Sequence, residues 1–463
     1  MKLYRHQNRT VKFTTTHNRV FDTSDAGTGK TAAHIVAFAK RRRAGGGRML
    51  VVCPRSIMFN VWVNDFKTFA PDMTVSVAPA SKRAEGFTKP ADVYITNHDA
   101  AVWLSKLPTK FWKKFDTLAL DESTAYKHYT AARSKAIQTV SNHFDYRVCM
   151  TATPSSNTIL DIWHQAFLLD NGKRLGASYY SFRNTVCAPT QVTKDPRAIQ
   201  WADREGAEEA VFGLLADITI RHELDKCVDI PPRHEYTIDF TLSSKVRAMY
   251  EQMAATQLIP MLNALKTQRS KKQATKTSLV TAINAAAVYT KLSQIASGAV
   301  YSAPDIYTLI DTSRYELITD MIEARPISLV FYLWQHQRDQ LALELKKRNI
   351  LTGLYDSNLS DRARRQLVDD YQAGKFRTLL AHPASAGHGL TLTAGTSTIW
   401  SSPTSNLEWF KQGSLRQRRI GQTKKTETVI VTAQDTVETD VYEKLLGKNA
   451  RMTNLLDMFA SMT

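Results

Sequence analysis

The run Asp25-Ala26-Gly27-Thr28-Gly29-Lys30-Thr31 brings glycines, a lysine and a hydroxyl group together just before the helix-like segment TAAHIVAFAK. Glycines in such a run let backbone N–H groups turn inward around phosphate oxygens. Lys30 would then reach the β and γ phosphates, and the Thr31 hydroxyl would ligate Mg²⁺. Ser24 replaces the first glycine of the longer pattern, but the Gly-x-Gly-Lys-Thr form is intact. The run predicts a nucleoside triphosphate site, with a glycine-rich helix entry as the alternative.

Two adjacent carboxylates, Asp121 and Glu122, end the apolar run TLALDE further along the chain. Neighbouring carboxylates at a strand end suit a division of labour in nucleotide hydrolysis. We predict that Asp121 holds Mg²⁺, directly or through a water molecule, and that Glu122 polarises the water that attacks the γ phosphate. A plain polar turn after a strand is the alternative.

These side chains must be positioned by strands whose ends meet at one edge of a sheet. Short β-rich runs alternate with helical stretches in two blocks, which is the rhythm of parallel α/β sheets. In doubly wound folds, ligands bind in the loops outside the carboxyl ends of the strands. We therefore predict an α/β protein with two doubly wound parallel-sheet lobes. The first block has MLVVC at 49–53, DVYIT at 92–96, TLALDE at 117–122 and RVCMTATP at 147–154, and the second has SLVFYLW at 328–334, RTLLAHP at 377–383, STIWSSP at 397–403 and ETVIVTA at 427–433.

The segment between the two blocks reads mostly as helix, and Pro231-Pro232 is the predicted boundary between the lobes. Residues 266–276 are rich in lysine and arginine and contain no acid, which fits either a solvated loop or a phosphate-contacting loop. The predicted divisions are an ATP-binding lobe at 1–165, an extension with the interlobe boundary at 166–232, a partly basic helical insertion at 233–300 and a second lobe at 301–463.

Composition narrows the class of protein further. The chain has 463 residues, with 61 Lys plus Arg against 43 Asp plus Glu, which gives a net charge of +18. Such a surplus is typical of proteins with an anionic partner, and nucleic acid is favoured over a membrane surface.

No apolar run approaches the ~20 residues of a membrane-spanning helix, and the first residues lack the apolar core of a signal peptide. The four cysteines lie far apart, in neither a zinc-ribbon nor a disulfide pattern. We expect a cytoplasmic protein that does not bind membranes.

An ordered series of motifs across the chain resembles the Swi/Snf-type branch of superfamily two helicases and translocases, in a compact form similar to those of bacteriophages and prophages. DEST at 121–124 departs from the commoner DEAH, and Ala152 and Thr391 stand where Gly and Asn are usual. The most specific motif is LRQRRIGQ at 415–422. The others are Leu3-Tyr4-Arg5-His6-Gln7, LVVCPRSIMFNVW at 50–62, YITNH at 94–98, TATP at 151–154, SLVFYLWQHQRDQLALEL at 328–345 and SAGHGLTL at 385–392.

The resemblance implies two RecA-like lobes with helical insertions and a site for ATP and Mg²⁺ in the cleft between them. It assigns adenine recognition to Gln7 and the role of arginine fingers to Arg416 and Arg419. Planar guanidinium groups suit the charge that spreads over γ-phosphate oxygens. Because these arginines belong to the second lobe, hydrolysis of ATP to ADP and phosphate would require the lobes to close.

The resemblance also implies a monomeric motor that tracks on DNA and unwinds or remodels branched DNA in replication, recombination or repair. It would act in the cytoplasm of a bacterium or of a phage-infected host. Contacts with the DNA backbone give little sequence specificity and strong salt dependence. An RNA helicase, or a nucleic-acid-binding scaffold with weak ATPase activity, are the alternatives. The predicted backbone contacts are Arg55, Ser56, Thr96, Asn97, His98, Gly387 and His388.

Overall fold

A computed structural model of the protein describes residues 2–191, 199–258, 277–303, 305–356, 359–386 and 390–460. Two separate parallel sheets form its framework, one of seven strands and the other of six. The predicted α/β class with two parallel-sheet lobes is therefore confirmed. The basic stretch 266–276, and the predicted DNA contacts Gly387 and His388, lie outside the described residues.

The first sheet is made of apolar strands whose side chains are buried on both faces, as expected for parallel strands covered by helices. Its strands follow the order β3-β4-β2-β5-β6-β1-β9, and the antiparallel hairpin β7–β8 stands apart from it. In chain order the strands are β1 (Arg19–Asp22), β2 (Arg48–Cys53), β3 (Val75–Ala78), β4 (Val93–Asn97), β5 (Phe115–Asp121), β6 (Tyr146–Met150), β7 (Cys187–Gln191), β8 (Ile199–Asp203) and β9 (Thr219–Ile220).

Strands β5, β6 and β1 are neighbours in this sheet and run parallel to one another. Their carboxyl ends therefore lie side by side at one edge. This arrangement brings the glycine-lysine loop after β1 next to the Asp121-Glu122 pair and to the TATP segment after β6.

The second sheet has the strand order β10-β17-β16-β13-β15-β14, with a second antiparallel hairpin, β11–β12, outside it. All of its pairings are parallel. Its strands and those of the hairpin are β10 (Arg233–Phe240), β11 (Ala299–Ala303), β12 (Ile306–Leu309), β13 (Ser328–Phe331), β14 (Thr352–Tyr355), β15 (Thr378–Ala381), β16 (Ser397–Trp400) and β17 (Thr426–Ala433).

The chain passes from the first sheet to the second between Ile220 and Arg233, an interval that contains Pro231-Pro232. Strand β10 opens the segment that the sequence predicts as a helical insertion, yet it pairs along its whole length with β17. It is an edge strand, and most of its side chains are exposed. An edge strand of this kind carries polar residues, so the apolar pattern that reveals central strands is missing from the sequence.

Helices cover both sheets. Those associated with the first lobe are Arg5–Thr16, Lys30–Arg43, Asn64–Phe69, Arg83–Thr88, Ala101–Leu104, Thr109–Trp112, Ala132–Ser141, Asp161–Asp170, Tyr179–Val186, Ala207–Leu215 and Leu224–Cys227. Those that follow are Ser244–Met253, Thr277–Ala296, Ser313–Glu323, Gln335–Lys347, Asp361–Gln372, Pro383–Ala386, Leu407–Ser414 and Val437–Ala460.

The two lobes pack against each other. The last helix, Val437–Ala460, contacts the first-lobe helix Ala207–Leu215. Polar contacts add to this packing, because Lys448 donates to Asn157 Oδ1 at 3.4 Å and Arg418 pairs with Asp225 at 2.5 Å. Within the described part of the chain, no helix combines the length and apolar character that crossing a bilayer requires.

Candidate functional site

The loop between β1 and the helix Lys30–Arg43 requires glycine at two positions. Gly27 and Gly29 have φ angles of 90° and 76°, in the left-handed region that side chains disfavour. A Cβ atom on Gly29 would also lie 2.1 Å from Gln7 Nε2. Any other residue at position 29 would therefore adopt a strained backbone and displace the Gln7 amide.

The first helix holds this loop through its side chains. Gln7 Nε2 donates to Thr28 O at 3.2 Å and to Gly29 O at 3.5 Å, and Gln7 Oε1 accepts from Tyr4 N. His6 Nε2 donates to the same Thr28 carbonyl at 2.7 Å. The amide of Gln7 is thus already engaged with the backbone, and recognition of adenine by Gln7 would require these hydrogen bonds to exchange.

The Lys30 ammonium lies inside the loop and donates to Ser24 O at 2.5 Å and Asp25 O at 3.1 Å. Beneath the loop, Asp22 accepts hydrogen bonds from His34 Nε2 and Ser24 N. Burial alone would raise the pKa of Asp22, but His34, the Lys30 charge and Ser24 outweigh it and lower the pKa to about 2. A permanently charged carboxylate therefore supports the loop from within the lobe.

Asp121 and Glu122 end strand β5 at the edge that the loop occupies. Asp121 accepts from Trp62 Nε1 at 2.9 Å and from Glu122 N at 3.1 Å. Glu122 has a φ of 54°, which turns its side chain away from the strand direction. Its Oε2 atom is buried, and no described residue offers it a hydrogen bond. Such an atom is a natural acceptor for a water molecule or a water proton.

Both carboxyls titrate above their usual range. Burial, and then the charge of Glu122, raise the pKa of Asp121 to about 6. Burial also raises the pKa of Glu122, although the charges of Lys30, Arg416 and Arg419 oppose that rise. A carboxylate with a raised pKa is a better proton acceptor than an ordinary surface glutamate.

The second lobe supplies the two arginines. Arg416 Nη1 donates to Leu390 O and Arg419 Nη1 donates to the Thr391 hydroxyl, each at 3.4 Å. The Arg419 Cγ atom would lie 3.4 Å from a Cβ atom on Gly27, so this arginine touches the first-lobe loop. Burial lowers the pKa of Arg419 to about 10, and the Glu122 charge opposes that shift. Two cationic groups from one lobe therefore face the carboxylates of the other.

A cavity of about 530 Å³ lies between these groups. Its volume is within the usual range of small-molecule and cofactor sites. Asp25 and Thr28 are not among its lining residues; Asp25 pairs with Arg221 at 3.0 Å, and Thr28 Oγ1 donates to Asp25 O. The predicted site residues that line the cavity are Gln7, Ala26, Gly27, Gly29, Lys30, Thr31, Asp121, Glu122, Arg416 and Arg419.

The lining fits a nucleoside triphosphate with Mg²⁺. Thr31 and Asp121, the predicted magnesium ligands, both face the cavity. Among the described residues, no group of three or more His, Cys, Asp or Glu side chains forms a ready-made metal cage. Mg²⁺ typically uses one or two protein ligands, completed by phosphates and water. The donor set therefore suits an ion that arrives with the nucleotide.

Sequence reasoning missed two side chains at this site. Asp65 lines the cavity, and burial, followed by the charge of Asp121, raises its pKa to about 7. Gln412 is a buried second-lobe residue whose amide lowers the pKa of Glu122. Gln412 lies on the helix Leu407–Ser414, just before the arginine motif, and its position next to that motif is the signal that could have revealed it. Asp65 has no local signal, because only the fold brings it near Asp121.

The predicted DNA contacts that the structure describes lie after strand β2 and at the end of β4. Arg55 is exposed and Ser56 is half-buried. Asn97 and His98 are almost buried; Asn97 bonds to Arg83 and Asp99, and His98 shares a hydrogen bond with the Tyr126 hydroxyl. Thr96 differs from the prediction: it is fully buried and donates to Ala78 O at 2.8 Å, so its side chain does not face a surface that DNA could occupy.

Comparison with known proteins identifies one matching family and several similar proteins. The profile of the SNF2-related domain matches residues 6–291. Protein p41 of Acyrthosiphon pisum secondary endosymbiont phage 1 is 28% identical over 456 residues, which cover 93% of each chain. YwqA of Bacillus subtilis (strain 168), whose name describes an ATP-dependent helicase/translocase, is 23% identical over 86% of this chain.

The match to YwqA spans only 42% of the length of that protein, whereas the match to the phage protein spans nearly all of it. Among solved structures, the Sulfolobus solfataricus SWI2/SNF2 ATPase core in complex with dsDNA is 19% identical to this chain. The similarity covers 98% of this chain and 93% of that one, with a TM-score of 0.44.

Proposed function

Since this chain belongs to the SNF2-related family of ATP-hydrolysing helicases and translocases, we propose that it is a DNA-dependent ATPase that moves along DNA and unwinds or remodels branched DNA. The observation that carries the proposal is the interlobe cavity. Lys30, Thr31, Asp121 and Glu122 face it from the first lobe, and Arg416 and Arg419 face it from the second. The proposal also places domain limits at residues 165, 232 and 300, with strand β10 of the third segment joining the second sheet.

Each of these residues has a role in the proposed reaction. Lys30 leaves the loop carbonyls to bind the β and γ phosphates, and Thr31 and Asp121 hold Mg²⁺, which supplies charge neutralisation at the phosphates when bound. Glu122 orients the attacking water and accepts its proton, which its raised pKa favours. Arg416 and Arg419 stabilise the charge on the transferred phosphoryl group. Gln7 contacts adenine.

Movement follows from the division of the site between two lobes. Neither lobe alone contains both the carboxylates and the arginines, so hydrolysis depends on how the lobes are arranged. A direct contact supports this coupling, because Thr124, next to the acidic pair, donates to Glu408 of the second lobe at 3.2 Å. A cycle of nucleotide binding and release would therefore open and close the cleft.

DNA is the proposed track. The net charge of +18 suits a polyanion, and Arg55, Ser56, Asn97 and His98 lie at or just after the carboxyl ends of neighbouring strands β2 and β4. The proposed contacts are with the backbone, they carry no sequence preference, and the motor acts as a monomer in replication, recombination or repair.

ATP hydrolysis should be measured at fixed salt without nucleic acid and with single-stranded DNA, duplex DNA, a forked or four-way junction, and RNA. Lys30→Ala serves as the blank. We expect DNA to stimulate hydrolysis and the stimulation to vanish in the blank. Stimulation by RNA alone would identify an RNA helicase. Hydrolysis that responds to no nucleic acid would instead indicate a scaffold with weak ATPase activity.

A further inference from the structure

A row of flat side chains lies on the surface of the first lobe, away from the nucleotide cavity. Tyr180, on the helix Tyr179–Val186, is 59% exposed. The Arg183 guanidinium lies 5.2 Å from the centre of the Tyr180 ring and 3.7 Å from that of Trp201, which belongs to hairpin strand β8. We name Tyr180, Arg183 and Trp201 the aromatic row.

The aromatic row rests on a packed support. Tyr129 and Tyr179 stack with their ring centres 4.4 Å apart, and Trp163 meets both edge-on at 5.6 Å. Trp163 is almost fully buried and its Nε1 donates to Gly176 O at 3.1 Å. Tyr180 packs edge-on against Tyr179 at 5.8 Å. These contacts hold the Tyr180 ring in place, while much of it stays exposed. Binding of a ligand to this ring would therefore cost little conformational entropy.

Arginines accompany the rings of the aromatic row. Arg204, the residue after β8, is exposed and donates to Cys187 O and Asn184 O. Acids lie in the same segment: Asp203 accepts a hydrogen bond from the Cys187 thiol, and Glu205 is exposed. Exposed rings combined with arginines are the chemistry that binds single-stranded nucleic acids, because each base presents a flat face and each nucleotide carries a phosphate.

Contacts inside the first lobe connect the aromatic row with His98 of the proposed DNA track. His98, a proposed backbone contact, shares a hydrogen bond of 2.9 Å with the Tyr126 hydroxyl. Three residues later along the same loop, Tyr129 stacks on Tyr179. The support of the aromatic row and the proposed contact His98 therefore belong to one packed part of the first lobe.

We propose that the aromatic row is a stacking site for unpaired bases of a single DNA strand. This inference rests on the proposed function, since it requires DNA on the neighbouring track. In a duplex the base faces are already stacked on one another, so Tyr180 would contact only bases that have left the helix. Arg204 would hold the phosphates beside them. The site would thus bind a separated strand and favour unwinding over movement along intact duplex.

The test compares Tyr180→Leu, which removes the flat ring but keeps an apolar side chain, with Tyr180→Phe, which keeps the ring. Binding is measured by fluorescence anisotropy at fixed salt with three probes: an oligothymidylate of about 20 nucleotides, an abasic strand of equal length, and a duplex. We expect Tyr180→Leu to weaken oligothymidylate binding by roughly 5-fold to 100-fold. Tyr180→Phe should bind like the parent protein, and neither change should affect the abasic strand or the duplex.

Two results would overturn the stacking site alone: unchanged oligothymidylate binding by Tyr180→Leu, or an equal loss with the abasic strand, which would show that the ring does not contact bases. In either case, duplex-stimulated ATP hydrolysis by the parent protein would leave the proposed function standing. Absence of any DNA binding or stimulation in the parent protein would overturn both. Equal thermal unfolding of the two variants establishes that the comparison concerns binding rather than folding.

Discussion

Glu122 lies buried among cationic side chains from both lobes, and one of its oxygens has no hydrogen-bond partner within the described residues. Glu122→Gln keeps the shape of this side chain and removes its ability to accept a proton. We expect the rate of ATP hydrolysis to fall by about 100-fold or more, while the affinity for ATP changes little. Turnover assays and nucleotide titrations check this, and full turnover in the variant would refute the role assigned to Glu122.

The raised pKa of Asp65 predicts that the stability of the protein depends on pH. Its pKa is raised from 3.8 to about 7 by burial and by the Asp121 charge, so the folded protein binds its proton more tightly than the unfolded chain does. Its contribution to stability is therefore present at acidic pH and is lost as the pH rises from about 4 to about 7. Asp65→Asn should gain stability relative to the parent protein over that interval, by on the order of 1–2 kcal/mol at the upper end.

Denaturant unfolding of both proteins across this pH range measures the difference in their free energies of unfolding. The contributions of the other titrating groups are largely the same in both proteins and cancel in this difference. A difference that is constant with pH would contradict the raised pKa of Asp65.

Local patterns reveal some single residues and not others. Some site residues belong to short motifs whose chemistry can be predicted from the sequence alone, and all of these line one cavity: Lys30, Asp121, Glu122, Arg416 and Arg419. Asp65 and the buried position of Thr96 depend on contacts between distant segments. No spacing along the chain encodes them.

In the proposed function, nucleotide binding depends on the glycine-lysine loop. At Gly29 the backbone has a φ of 76°, and a Cβ atom would lie 2.1 Å from Gln7 Nε2. Gly29→Ala should cost roughly 1–3 kcal/mol of stability and should abolish ATP binding, because alanine strains the loop backbone and displaces the Gln7 amide that holds the loop.

Gly213 offers a matched control. It lies in the helix Ala207–Leu215 outside the left-handed region, and no described atom lies within 4 Å of a Cβ at that position. Gly213→Ala should leave ATP binding intact and raise stability by up to about 1 kcal/mol. Calorimetry and nucleotide titration of both variants make the comparison, and normal ATP binding by Gly29→Ala would contradict the strict need for glycine.

Among the strands, the sequence identifies central ones best. The apolar runs at β2, β5, β13 and β17 are buried on both faces, and the pattern predicts each of them. The apolar pattern does not predict edge strand β10, because its side chains are mostly polar and exposed. Its place in the second sheet is set by pairing with β17, far away in the chain.

The charge of the complete chain predicts how DNA binding responds to salt. With a net charge of +18 and contacts to the backbone, most of the affinity would come from counterion release. We expect duplex affinity to fall at least about 10-fold between roughly 50 and 200 mM salt. Arg55→Ala should weaken binding and reduce the slope of log K against log salt by about one.

Arg348→Ala is the control for this titration, because Arg348 belongs to the second lobe, pairs there with Asp320 and Glu323, and is not among the proposed DNA contacts. Its slope should match that of the parent protein. Duplex binding that is insensitive to salt would argue against a backbone track.

Two α/β lobes are predictable from the alternation of apolar runs and helical stretches. The way in which the lobes meet is not, because Arg419 touches the loop at Gly27 only through contacts between segments hundreds of residues apart. The cavity, and the support of the aromatic row by Trp163 and Tyr179, arise from the same long-range packing.

The most direct test of a site shared between the lobes is DNA-stimulated ATP hydrolysis by Arg419→Ala, measured together with binding of a fluorescent ATP analogue. The first lobe keeps all of its own groups in this variant, so nucleotide binding should persist. Hydrolysis should fall on the order of 1000-fold or more, and Arg348→Ala should hydrolyse ATP like the parent protein. Near-normal hydrolysis by Arg419→Ala would show that the second lobe does not complete the site.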